Sequence, residues 1–404
     1  MRRHILEDEK MSNHDDHEIL DEQRAMDRAE ASTGLHDWGN DLSFKTGLKI
    51  LIQSVEEMHP SPEFRDTVSK RIQRILETRL HLVDDAKQHP EIEQQKIERP
   101  IAIIGLPRTG TTITYDLITL DPAVRAPREF EMLLPWPASD AATFATDPRI
   151  AIIQAMNDNY LKHAPQLKEI QRLDCTLAGE CNHGMTYHFA GSNFPAEFGV
   201  PRFAKWVTDE IPEGLYRTHK RLLQEFQWKG PKGRWVIKSP HHLFDLGGLT
   251  KAYPDIGMIW THRDPVATMS SLSSMIAALQ AAVGQGGDLH AVGRSVVDMW
   301  CTAMARATRV RAENPAIETK ILDLAHRDIV LDPIGSIRRI YARFDQPFTV
   351  DFEARIRTFL TENPSATRLG KHKHTPSQFG IDPEEVHTRL AGYYERFGSF
   401  LQKP

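Results

Sequence analysis

Apolar positions between about Leu42 and His89 recur three and four residues apart, the spacing of one face of an α-helix. Leu48, Leu51, Ile52, Val55 and Met58 form one stripe, and Val68, Ile72, Ile75, Leu76 and Leu80 form a second. Pro60-Ser61-Pro62 separates them, because proline interrupts a helix interior but suits a first turn. The pattern predicts a helical N-terminal extension over residues 1–95. From Pro100 the pattern changes. Ile101–Ile104 is short and wholly apolar, as in a strand buried on both faces. Arg234–Ile237, Ile256–Thr261 and Thr319–Asp323 read as further strands. Ser239-Pro240 and Asp264-Pro265 supply helix-start chemistry after two of them, and Pro333–Phe344 reads as a helix. Strands alternating with helices predict a parallel α/β sheet with right-handed crossovers over residues 96–404. The stretch Ile150–Gln227 reads as irregular and helical.

Composition narrows the picture. A chain of 404 residues can bury a sizeable core. A net charge of −5 offers no basic excess for nucleic acid. Three cysteines, Cys175, Cys181 and Cys301, are an odd and sparse set that fits a reducing compartment. Cys175 and Cys181 match no common zinc spacing, so no metal is expected. No apolar run approaches the roughly 18–20 residues that span a bilayer. Met1–Asp27 lacks the apolar segment of a secretory signal and reads as a frayed arm or a solvated helix. A cytoplasmic location is expected.

The chemistry concentrates after the first strand. Gly105-Leu106-Pro107-Arg108-Thr109-Gly110-Thr111-Thr112 joins that strand to a helix beginning near Ile113. Backbone N–H groups of such a loop and the helix N-terminus favour a bound anion. The spacing is that of a P-loop, except that Thr111 stands where the lysine belongs. That lysine serves the β- and γ-phosphates of a nucleoside triphosphate, so ordinary ATP chemistry is disfavoured. A small-molecule kinase with an atypical loop is the alternative reading. Arg108 is the strong cation within the loop. Gly105, Lys238 and Arg263 all fall at the carboxyl ends of predicted strands, where open α/β sheets bind ligands.

Pro107–Thr112 resembles the 5′-phosphosulfate loop of sulfotransferases that use 3′-phosphoadenosine 5′-phosphosulfate (PAPS). The resemblance extends from about Leu51 to the C-terminus and is nearest to a bacterial-type family. Its other pieces are Leu223, Gln224 and Trp228, then Lys238-Ser239-Pro240 with His242-Leu243, then His262-Arg263-Asp264-Pro265. Asp332-Pro333 and the basic tail Gly370–His374 complete it.

This resemblance implies a P-loop-like, three-layer core and sulfuryl transfer from PAPS to a hydroxyl of a small acceptor, releasing PAP. It implies that Arg108, Thr109, Gly110, Thr111 and Thr112 hold the 5′ end of the donor. Arg263, with Ser271 eight residues later, would hold the 3′-phosphate, and Lys371 in the basic tail would close over it. Lys238 would reach the bridging oxygen or the sulfuryl group. His242 is the favoured base, because an imidazole takes a proton near neutral pH. His241 and Glu131 compete for that role. The aromatic-rich stretch Tyr187–Trp228 suggests a lipophilic acceptor such as a steroid, polyketide, prenyl or fatty alcohol.

Overall fold

The computed structural model describes residues 19–163, 165, 173–364 and 374–401. Five parallel strands form one sheet in the order β2-β3-β1-β4-β5. They are β1 (Ile101–Ile104), β2 (Val124–Arg125), β3 (Arg234–Lys238), β4 (Gly257–His262) and β5 (Ile321–Ala325). The apolar run of β1 is buried throughout and lies at the centre. Ile103 is in register with Lys238 on one side and Ile259 on the other. The loop after β1, the end of β3 and the turn after β4 are therefore neighbours.

Two strands depart from the sequence reading. The two-residue β2 lies in a proline-rich passage with no strand-like run. Strand β5 begins two residues later than expected. Thr319 and Lys320 instead close the turn after helix Pro315–Glu318, donating to the carbonyls of Pro315 and Ile317 at 3.0 Å each.

Helices Thr111–Ile118 and Pro333–Arg343 cover one face of the sheet, packing on Ile101, Ile103 and Ile259. On the other face, Ala102, Ile104, Trp235 and Trp260 enter a larger core. This arrangement is the expected P-loop-like α/β layering. Helices Phe44–Glu56 and Pro62–Gln88 form as predicted, divided at Pro60–Ser61, with the Ser61 hydroxyl accepting from the Phe64 N–H. Both share the larger core. Part of the acidic arm also folds: helix Glu22–Thr33 buries Ala25, Met26 and Ala29 against Pro62–Gln88.

The aromatic stretch serves this core. Tyr187, Phe189, Phe194, Phe198, Phe203 and Phe226 are buried among the N-terminal helices. Arg79 is buried with them, its guanidinium 3.7 Å from the Phe44 ring centre and donating to the Tyr187 carbonyl. These rings pack the fold together, so they do not supply the acceptor pocket expected of them.

Candidate active site at the strand ends

The loop after β1 is shaped by close backbone approach. Gly105 has φ 134°, and a Cβ there would stand 2.6 Å from Thr261 Oγ1 and 2.7 Å from the Thr261 carbonyl. Thr109 Oγ1 ties the loop shut, donating to the Leu106 carbonyl at 2.7 Å and lying 2.6 Å from Thr261 Oγ1. Gly110, at φ 92°, is the N-cap of helix Thr111–Ile118 and has no side chain to bond the first-turn N–H groups. Those donors are left for an anion.

The fold brings Arg108, Arg263 and Ser271 together. The Arg263 guanidinium donates to the Arg108 carbonyl at 3.0 Å, and Arg108 Nε donates to Ser271 Oγ at 3.3 Å. Burial, and then the charge of Arg263, pull Arg108 below the ordinary arginine range. Burial does the same to Arg263. The turn carrying Arg263 rests on a buried network. His262 lies 2.8 Å from Asp323 Oδ1 and 2.9 Å from the Tyr393 hydroxyl, while Arg311 donates to both Asp323 oxygens. Burial pushes the Asp323 carboxyl up, but hydrogen bonds from Arg311 and His262 outweigh it and hold it at about 2. Lys371 lies outside the described residues. His374 is described, and its Nδ1 is 2.8 Å from the hydroxyl of Ser270, beside Ser271.

A cavity of about 270 Å³ opens from the loop. Its polar end carries Arg108, Thr112, Glu129, Glu180, His183 and Lys238. Its lining also has an apolar share, from Leu272, Met275, Ile276 and Leu279 of helix Pro265–Ala282 and from Met299 and Trp300 of helix Leu289–Glu313. The Lys238 ammonium is 3.4 Å from Thr112 Oγ1 and pairs with Glu180. Glu129 meets His183 at 3.1 Å, and the other nitrogen of that ring is 2.9 Å from the Asn193 amide. Burial raises the Glu129 carboxyl, but His183 and Lys238 more than offset it, leaving it below the usual range. Burial lowers His183, and Glu129 reverses that.

The expected bases lie elsewhere. Pro240 lines the cavity, but His242 does not. The His242 ring is fully buried, with Nδ1 2.9 Å from the Tyr216 hydroxyl. Burial, and then His219 and His241, keep it well below the ordinary histidine range. His241 is buried against Phe244, and burial holds it at about 3. Glu131 is consumed structurally: it accepts from the Arg125 guanidinium, the Arg128 amide and the Ser139 hydroxyl. Glu129 and His183 were missed by the sequence reading. Glu129 stands two residues before Glu131 on a short helix, a step that turns it to a different face. His183 belongs to no recognisable motif.

A sequence profile described as the sulfotransferase family matches residues 100–350. Two curated relatives share 25% identity over 276 residues, covering 65% of this chain and 67% of the relative. Both are named omega-hydroxy-beta-dihydromenaquinone-9 sulfotransferase Stf3, from Mycobacterium bovis and Mycobacterium tuberculosis. Among solved structures, sulfotransferase STF9 from Mycobacterium avium superposes with a TM-score of 0.81 at 27% identity, covering 95% of this chain and 98% of that one. Sulfotransferase STF1 from Mycobacterium tuberculosis gives 0.77 at 24% identity, covering 93% and 99%, and supports the fold. No described helix is long and apolar enough to cross a membrane. With its family profile spanning most of the chain and the phosphate loop at its start, this protein belongs to the sulfotransferase family.

Proposed function

We propose that this enzyme moves the sulfuryl group of PAPS to a hydroxyl on a small lipophilic acceptor and releases PAP. The observation that carries the reading is the juxtaposition of two features. Arg108 contacts both Arg263 and Ser271 beside a lysine-free phosphate loop, and the same loop opens into a cavity lined in part by apolar side chains. PAPS has two separated anionic groups. The loop amides and Arg108 suit the 5′-phosphosulfate, while Arg263 and Ser271 suit the 3′-phosphate, with Lys371 as a further proposed contact. PAPS supplies the sulfuryl group. Negative charge then grows on the oxygen that the group leaves, and Lys238 faces that end of the cavity. The apolar lining supports a lipophilic acceptor. So does the name of the curated relatives, which act on a hydroxylated menaquinone.

The acceptor hydroxyl must lose a proton as its oxygen attacks. Glu129 is the proposed base. It lines the cavity, is ionised at neutral pH and is held by His183. His242 was the favoured residue from sequence, but its ring has no face on the cavity. The three cysteines are free, in keeping with a reducing compartment such as the cytoplasm.

Ligand-induced shifts in melting temperature test the donor reading, since a ligand selective for the folded state raises apparent stability by mass action. PAP is expected to stabilise the chain at concentrations where ATP and AMP do not. Stabilisation by ATP alone would favour a kinase instead.

A further inference from the structure

Behind the cavity wall, three side chains from distant parts of the chain meet in the core. One donor atom from each of Cys181, His219 and His242 lies within 4.8 Å of the other two. All three residues are fully buried. The histidines are arranged alike. His219 Nδ1 is 2.8 Å from the Tyr253 hydroxyl, and His242 Nδ1 is 2.9 Å from the Tyr216 hydroxyl. The remaining nitrogen of each ring, Nε2, has no hydrogen-bond partner among the described residues. Leaving two buried ring nitrogens unsatisfied in this way is costly, because each has given up its bonds to water and gained none. The backbone amide of Lys238 faces the Cys181 sulfur.

We infer that Cys181, His219 and His242 form a binding site for a zinc ion. The chemistry of the donors fits: one thiolate and two imidazoles are ligands that Zn(II) accepts in tetrahedral sites. With Nδ1–H donated to a tyrosine oxygen, each Nε2 presents its lone pair. This is the outer-sphere pattern that fixes the tautomer of a metal-bound histidine. Bond lengths of about 2.0–2.3 Å place such ligand atoms roughly 3.4–3.6 Å apart, so from separations within 4.8 Å the three side chains draw in by up to about 1.4 Å on binding. Binding displaces the Cys181 thiol proton to solvent and leaves a fourth position for water.

The ion would brace the active site from behind. Cys181 follows Glu180, the partner of Lys238, and precedes the cavity residues Asn182 and His183. His242 follows Lys238 by one turn of the segment after β3. A zinc ion would thus pin the end of β3 to helix Cys181–Met185, holding Lys238 and Glu180 in place.

Metal content is measured on untagged protein purified without chelator and dialysed into metal-free buffer. About one zinc per chain is expected. After chelation, anaerobic titration with Co(II) is expected to produce a thiolate-to-cobalt charge-transfer band. The Cys175→Ser, Cys301→Ser double variant keeps that band, because Cys181 is then the only thiol. Cys181→Ser and His219→Gln abolish or weaken it, and zinc raises the melting temperature of the wild-type chain and of the double variant but not of these two. Wild-type protein that retains no zinc and develops no charge-transfer band overturns the site, as does loss of the band in the double variant. The band requires a thiolate ligand, so the wild-type spectrum decides even where Cys181→Ser fails to fold. None of these readouts depends on sulfuryl transfer.

Discussion

Arg263 reaches across from the end of β4 to the carbonyl of Arg108 in the loop after β1, at 3.0 Å. Two like charges are thereby held side by side. Neither guanidinium meets a carboxylate at hydrogen-bond distance among the described residues. Such a pair repels itself until an anion arrives, and that repulsion becomes affinity for a phosphate or sulfate group. The backbone bond ties the loop to the strand end.

Removing one member of the pair separates the two ends of the donor. Arg263→Ala is expected to weaken PAP by roughly 10–150-fold, the range for hydrogen bonds to charged groups. Adenosine 5′-phosphosulfate, which lacks the 3′-phosphate, is expected to bind nearly as before. Calorimetry with both ligands checks this. Equal losses would mean that Arg263 supports the loop as a whole and not the 3′-phosphate.

The base assignment divides two residues cleanly. Glu129→Gln is expected to lower kcat by roughly 10²–10⁴-fold while PAP affinity holds. The Gln side chain keeps the shape and a hydrogen bond to His183 but accepts no proton. A Glu129→Gln enzyme with wild-type kcat would overturn the assignment of Glu129 as the base.

The apolar lining predicts a selective effect on the acceptor. Leu279 lines the cavity from helix Pro265–Ala282. Truncation by Leu279→Ala removes about 1–2 kcal/mol of apolar contact, so KM for a lipophilic alcohol is expected to rise about 5–30-fold. PAP affinity should not change. If KM for every apolar acceptor is unaltered, the acceptor enters by another route.

A prediction of stability concerns Glu225 on helix Leu215–Trp228. Burial, and then the neighbouring Asp85, push its carboxyl from 4.5 up to about 8. The folded chain therefore holds a proton here that the unfolded chain releases above about 4.5. Unfolding gives up that proton between these two values, so stability falls as pH rises from about 4.5 to about 8. Glu225→Gln cannot ionise and should lose less stability over that window. Denaturant unfolding at pH 5 and pH 8 tests this, and equal pH slopes for the two proteins would contradict it.

Much of the frame was legible in the sequence because local rules decide it. The apolar run Ile101–Ile104, the Gly105 and Gly110 turns, and the Asp264-Pro265 helix start each carry their own signal. That the loop carrying Arg108 and the strand end carrying Arg263 are neighbours was legible in the strand-to-helix pattern. The inner face of the cavity was not. Glu129, His183 and Glu180 come together through the packing of two short helices joined to no periodic pattern. Cys181, His219 and His242 likewise meet only in three dimensions. The aromatic stretch misled for a related reason: ring content records burial, and in this chain the buried partner is the N-terminal helical segment.

Turnover is the most direct test of the central claim. Purified enzyme is incubated with sulfur-labelled PAPS and a panel of hydroxylated acceptors that spans prenyl, fatty and steroid alcohols, phenols and soluble glycans. The expected result is label transferred to at least one apolar alcohol or phenol, with PAP released in equal amount and with transfer lost in Lys238→Ala. Robust sulfation of a soluble glycan with no turnover of any apolar acceptor would contradict the account, as would phosphoryl transfer from ATP with PAPS left intact.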